Sequence, residues 1–285
     1  MTKRLLFVTF ILIELIFNVN AQTTMLSSNP LKKNEVLLFN TYQFYETTSK
    51  YNWKSEQWDK LDDTLLQTFH KTLPMVGYGI TDKLSVFAQF PMSYFVQNEE
   101  NTFYFDDILL MTRYGIMPSS SSKTGLTVIG AVRLPTGKTG SNKNFSDGST
   151  DIILGEIFST KWYGNWRTHI KSDFTLNTKN VNDETLGNEM NLIWKQDYKW
   201  KKLTFSLTNQ YYYQAKKNDK NGLRVDQTQK ERLTHQIQIK YQCSNGILIK
   251  PKFQIPSYSV GGSNYSYKLV LELVYRLSCA QKKEQ

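Results

Sequence analysis

From Asn264 to Leu277 apolar and polar residues alternate with a period of two. Tyr265, Tyr267, Leu269, Leu271, Leu273, Tyr275 and Leu277 fall on one face of an extended strand, and Asn264, Ser266, Lys268, Glu272 and Arg276 on the other. A strand in a soluble protein usually runs about five or six residues, whereas this one runs about fourteen. A bilayer-spanning strand needs about 9–11 residues plus its interfacial ends. Tyr at both ends and Leu between is the order expected at two membrane interfaces and a hydrocarbon centre. The pattern predicts the closing strand of a membrane-spanning barrel, with one face toward lipid and the other toward a wet lumen.

The same alternation recurs along the chain. It predicts strands at Glu35–Tyr45, Thr64–Ile80 (with a break or bulge at Pro74), Leu84–Val96, Phe105–Met117, Thr124–Leu134, Thr150–Trp162, Trp166–Asn177, Thr185–Gln196, Lys201–Tyr213, Lys230–Gln242 and Ile247–Ile255, before the closing strand. The faces of Thr150–Trp162 are the least distinct. Connections one, three, five, seven, nine and eleven read as the longer class, including Gln97–Tyr104, Pro135–Gly148, Ala215–Gln229 and Pro256–Ser263. The others are short, and Ser244-Asn245-Gly246 is a hairpin signal. Short turns at one end, longer loops at the other and an even strand number mark an outer-membrane barrel. The expected fold is all-β: an antiparallel up-and-down transmembrane β-barrel of about 12 strands with both termini periplasmic. A soluble secreted β-protein is the alternative.

The N-terminus reads as a targeting segment. Lys3 and Arg4 precede an apolar run, Leu5–Phe17, and Val19-Asn20-Ala21 fits a small-x-small cleavage site. Cleavage between Ala21 and Gln22 divides the chain into a signal peptide, 1–21, and a single barrel domain, 22–285. The destination is the Gram-negative outer membrane, with outer-membrane lipid and the barrel-assembly machinery as partners. The mean hydropathy of -0.47 and the lack of a second long apolar run exclude a bundle of transmembrane helices, but not a barrel, whose strands are half polar. The 14% aromatic content suits interfacial girdles. Tyr45, Tyr94, Trp162, Trp166, Trp194 and Tyr211–Tyr213 read as such anchors. A formal charge of +10 implies attraction to anions. Nucleic acid is a poor partner, because the cations are spread through β-patterned segments with no compact basic helix.

Three patches carry a family resemblance. They are Tyr78-Gly79-Ile80-Thr81-Asp82-Lys83-Leu84-Ser85-Val86, then Arg133-Leu134-Pro135-Thr136-Gly137, then Asp147-Gly148-Ser149-Thr150-Asp151. In that order and spacing the chain resembles the outer-membrane family of transporters named for the phenol meta-cleavage (MetA) pathway. The resemblance implies a barrel and the passage of small molecules, without fixing the cargo. Many such barrels finish on an aromatic residue, whereas this sequence adds Ser278–Gln285 after Leu277.

The polar faces supply the candidate functional surface: Arg167, Lys171, Arg232, Lys240, Lys250, Lys252, Lys268 and Arg276, with Glu272 among the opposing acids. Rings of charge in a lumen set ion preference, so the charges predict passive passage of small anionic solutes, and aromatic solutes enter only with the family resemblance. The alternative is a non-conducting structural or surface-binding barrel whose charges pair and fill the lumen. The histidines His70, His169 and His235 sit in no metal-binding spacing. His235 falls on an apolar face beside Thr234 with no recognisable triad around it, so neither enzyme activity nor a cofactor is expected. Cys243 and Cys279 are candidates for a disulfide, although one strand separates them in this topology.

Overall fold

The computed structural model describes residues 28–62, 66–97, 100–117, 123–137, 148–243 and 247–278. The expected signal segment with its Ala21–Gln22 junction, most of the fifth connection, the Ser244–Gly246 turn and Cys279 lie outside these residues. Sixteen strand segments form one antiparallel sheet. They are β1 (Glu35–Asn52), β2 (Gln57–Lys60), β3 (Gln67–Thr72), β4 (Met75–Gly79), β5 (Leu84–Gln89), β6 (Met92–Gln97), β7 (Glu100–Phe105), β8 (Ile108–Met117), β9 (Thr124–Leu134), β10 (Asp151–Lys161), β11 (Trp166–Leu176), β12 (Glu189–Trp200), β13 (Leu203–Gln214), β14 (Lys230–Gln242), β15 (Leu248–Val260) and β16 (Ser263–Ser278). β3 and β4 are two halves of one stave, as are β5 with β6 and β7 with β8. β2 is a flap on the upper end of β1. Twelve staves remain, and β1 pairs with β16 from Glu35↔Ser278 to Lys50↔Ser263. That pairing closes the sheet, while at the upper end β7 pairs with β6 alone among the described residues.

The three broken staves are neighbours. Pro74 and Pro91 lack the N–H a ladder needs, and the ladder re-forms across each gap. The Phe90 N–H donates to the Pro74 carbonyl at 2.9 Å and the Asp106 N–H to the Pro91 carbonyl at 2.9 Å. The break expected at Pro74 is present, and Pro91 and Asp106-Asp107 extend it across the sheet.

Inward and outward faces alternate as the pattern requires. Outward, Leu154, Leu207 and Ile237 are 55%, 50% and 62% exposed. With many similar residues they form an apolar belt that only lipid can cover. Two expected loops are absent. β6 and β7 approach to within a two-residue connection where Gln97–Tyr104 read as a loop, and β15 runs on to Val260 where Pro256–Ser263 did. The latter hairpin turns on Gly261 and Gly262, both at positive φ (76° and 70°), a conformation open to glycine. The indistinct faces of β10 have a clear cause: Ile157 is buried inside, while Glu156 lies on the outer face.

The two long loops 177–188 and 215–229 dock on one another. Asn218 and Thr185 exchange backbone hydrogen bonds at 2.8 and 3.1 Å, and Lys217 pairs with Glu184 at 3.2 Å. At the edge of the second loop a hydrogen bond from Lys216 holds the Asp226 carboxyl below the usual carboxylate range.

Candidate functional site

The lumen divides into three levels. At the lower end, where β1 begins, residues preceding β1 fold into it. The Leu31 N–H donates to Ser85 Oγ at 2.7 Å, and Thr127 Oγ1 donates to the Ser28 carbonyl at 2.6 Å. The Asn34 N–H donates to the Gly79 carbonyl at 2.8 Å. Leu31, 2% exposed, packs into a cluster of inward apolar residues that includes Leu37, Phe39, Met75, Phe87, Met111 and Ile129. This corrects the expectation of a wet lumen: on β1, β4, β5, β8 and β9 the lower inner face carries an apolar cluster packed on a chain segment, with Ser85, Arg113 and Thr127 buried beside it. Gly79 permits the approach, since a Cβ there would lie 1.8 Å from the Lys32 carbonyl oxygen. The Arg276 guanidinium meets Glu35 at 3.0 Å beside this plug.

Above it the charges pair. Glu272 is bracketed by Lys250, its register partner at 2.9 Å, and by Lys252. Asp197 is bracketed by Lys240 at 2.7 Å and Lys195 at 3.3 Å, with His169 Nε2 at 3.5 Å. Lys171 is neutralised by Asp173 at 2.7 Å. Arg167 faces inward opposite Asp197 in the register. Bracketing both carboxylates with pairs of lysines fixes the side chains and leaves this level with more positive than negative groups.

The upper level is a cavity of about 840 Å³. Lys268 stands between two rings, 4.4 Å from the centroid of Tyr45 and 4.8 Å from that of Tyr265. Among the described residues no carboxylate comes within 4.0 Å of its ammonium. Arg232 lies over the other part of the Tyr265 ring at 5.2 Å and donates to the Ser263 carbonyl at 2.9 Å. Its Nε is buried without a hydrogen-bond partner. Lys230 and Lys252 also line the cavity, together with glutamines such as Gln43, Gln210 and Gln254.

Every cation of the expected set therefore faces the lumen; Lys171, Lys240, Lys250, Lys252 and Arg276 are paired with carboxylates, whereas among the described residues Arg167, Arg232 and Lys268 are not, and of these three Arg232 and Lys268 line the cavity. Lys195, Asp197 and His169 were not among the expected site residues: His169 and Lys195 lay on the polar faces of expected strands, whereas Asp197 lay past the expected strand end at Gln196 and faces the lumen because β12 runs on to Trp200. Tyr265, expected toward lipid, points inward because β16 is irregular against β1 between Tyr45 and Thr47. Tyr45 and Tyr212 line the cavity and are not interface anchors. Cys243 lies just past β14 with a half-buried thiol.

A closed antiparallel barrel, apolar outside and charged within, defines a transmembrane β-barrel of the outer-membrane class. The chain belongs to the family described as "Putative MetA-pathway of phenol degradation", whose model matches residues 32–268. Among solved structures, the fold is similar to an outer membrane channel from Pseudomonas putida F1, with a TM-score of 0.76 at 12% identity, covering 90% of this chain and 100% of that one. It is also similar to the NanC porin, with a TM-score of 0.51 at 11% identity, covering 84% of this chain and 100% of that one. The β domain of the Bordetella autotransporter BrkA gives a TM-score of 0.51 at 8% identity, covering 86% and 100%. At these identities the likeness is one of fold. No curated protein matches the sequence.

Proposed function

We propose that this protein is an outer-membrane channel for the passive passage of small anionic or aromatic solutes. It is delivered by a signal peptide cleaved between Ala21 and Gln22 and inserted by the barrel-assembly machinery. The observation that carries the reading is the upper cavity, where Lys268 and Arg232 face open space with aromatic rings and amides around them and no acid beside Lys268. The wall carries Lys230, Arg232, Lys252 and Lys268 against Glu231 and Glu272, and a cavity with an excess of one sign raises the local concentration of its counter-ion. Rings of Phe39, Phe69 and Tyr212 in the same wall offer stacking surfaces to an aromatic solute.

Reconstitution in planar bilayers tests the proposal. Under a potassium chloride gradient the reversal potential should report anion preference. Absence of conductance, or a preference for cations, overturns it. A second reading, a barrel closed in its resting form, is favoured by Leu31 and the apolar plug. It predicts that conductance appears only when the segment before β1 is displaced.

A further inference from the structure

On the outer wall, facing lipid, three polar side chains sit side by side on neighbouring staves: Asn209 of β13, His235 of β14 and Ser257 of β15. His235 Nε2 is 2.7 Å from Ser257 Oγ, and His235 Nδ1 is 2.6 Å from Asn209 Oδ1. Asn209 and His235 are register partners. Ser257 reaches the ring through a bulge: Leu233 pairs with Tyr258 and Thr234 with Pro256, which leaves Ser257 without a ladder partner and turns it outward. One tautomer satisfies both contacts. An amide oxygen only accepts, so Nδ1 carries the proton, Nε2 is the acceptor, and the Ser257 hydroxyl donates to it. A nucleophile, a base and a group that orients the base stand in hydrogen-bond sequence.

The surroundings separate this cluster from the other histidines. Ile237, Ile255 and Leu207 around it are exposed, so it lies within the lipid-facing belt. His235 is five residues below the upper end of β14 at Lys230, about 16 Å along the strand, in the half of the membrane toward the long loops. Polar groups in such a belt are costly and mark function by default. His70, also outward, meets the Tyr42 hydroxyl and the rings of Tyr42, Phe44 and Tyr94, with no serine in hydrogen-bond reach among the described residues. Inside the lumen, Ser159, His169 and Asp197 form a similar series, but Ser159 is 1% exposed and Asp197 is held by two lysines, so no substrate reaches them. Ser257 is exposed.

We propose that Asn209, His235 and Ser257 form a serine acyl-hydrolase centre on the lipid-facing wall, acting on the carboxylic ester bonds of glycerophospholipids in the outer leaflet. Ser257 Oγ attacks the ester carbonyl carbon as its proton passes to His235 Nε2. The bond from the carbonyl carbon to the glycerol oxygen breaks, and that oxygen takes the proton from His235. Water, deprotonated by His235, then attacks the acyl–Ser257 ester, releasing the fatty acid and restoring the serine. Asn209 holds the ring in the tautomer both steps need and steadies the transient imidazolium. The lumen takes no part, so this activity is independent of solute passage.

The test uses the refolded full chain in detergent micelles with two probes: phosphatidylethanolamine bearing a fluorescent acyl chain, and an alkyl fluorophosphonate. Wild type should release the fluorescent fatty acid. Ser257→Ala and His235→Ala should lower the rate by about 10³-fold or more, and Asn209→Ala by less. Peptide mass mapping should find the phosphonyl adduct on Ser257, lost in His235→Ala. These are surface changes, so the heat-dependent gel shift of the folded barrel should persist in all three. Adduct on Ser257 that depends on His235 supports the centre even where the lipid probe turns over slowly. Neither reaction in wild type showing that gel shift, or reaction that survives Ser257→Ala, overturns it.

Discussion

Lys250 and Glu272 face each other across β15 and β16 as direct register partners, and the lysine donates to the carboxylate at 2.9 Å with its own side chain wholly buried. Lys252 closes on the same carboxylate from the level above. A buried ion costs several kcal/mol to desolvate, and its counter-ion is what makes burial tolerable. Removing Glu272 alone should therefore be worse than removing the whole group. Glu272→Ala should destabilise the folded barrel by about 3–5 kcal/mol. The triple change Lys250→Met, Lys252→Met, Glu272→Leu should cost much less. Urea unfolding in lipid vesicles, read by the gel shift, checks the order. Equal losses would show that the pairing is incidental.

The plug gives a second prediction. Leu31→Asp places a charge in the apolar cluster, and Gly79→Ala drives a Cβ into the Lys32 carbonyl. Either change should expel the segment without opening the barrel. Trypsin should then cut faster after Lys32 or Lys33, exposed side chains whose backbone is held by Glu35 and Asp82, and single-channel conductance should rise. An unchanged cleavage rate would mean that the contacts at Ser85 and Thr127 hold the segment by themselves.

Charge in the upper cavity should set ion preference. Replacing Lys268 and Arg232 together by Gln removes two of the cavity's four cations while leaving Lys230 and the paired lysines intact. The ratio of anion to cation permeability should fall by about tenfold, the low end of what a charged cleft achieves. Lys171→Gln, a change at a lysine already neutralised by Asp173, should alter the ratio little. A larger effect from Lys171 would place the selective level lower in the lumen.

Gly261 carries the hairpin between β15 and β16 at φ 76°, and a Cβ there would lie 2.2 Å from the Gln229 carbonyl oxygen. Gly261→Ala should cost about 1–2 kcal/mol in backbone strain alone and should loosen the end of the docked loop. Limited trypsin digestion should show faster cleavage at Lys220 or Arg224 than in wild type. Identical digestion rates would show that the loop is held from its other side, by Thr185 and Glu184.

The arrangement of strands was legible in the sequence because a barrel wall separates oil from its interior at every position, and that separation prints a period of two on the chain. The closing strand shows it most plainly: Leu269, Leu271 and Leu273 meet lipid while Lys268, Glu272 and Arg276 do not. The same argument placed Lys240, Lys250 and Lys252 inward without any knowledge of their neighbours. It misplaced Tyr265, because a local irregularity in pairing reverses a face and leaves no mark in composition. It read as connections several stretches that are strand, among them Glu46–Asn52, Gln97–Tyr104 and Pro256–Ser263, because they are polar enough to pass for either.

Alternation, strand number and the charged inner face were thus decided by residue order alone, since each residue's solvent is set by its parity along a strand. Which charges are spent on one another, that Lys268 and Arg232 meet in one cavity without an acid partner, how Leu31 packs into the lower lumen and how Asn209, His235 and Ser257 come together were decided only by the closed barrel. Asn209 and Ser257 lie 26 and 22 residues from His235 in the chain. Only the register of three neighbouring staves, with one extra residue in the third, brings them within hydrogen-bonding distance.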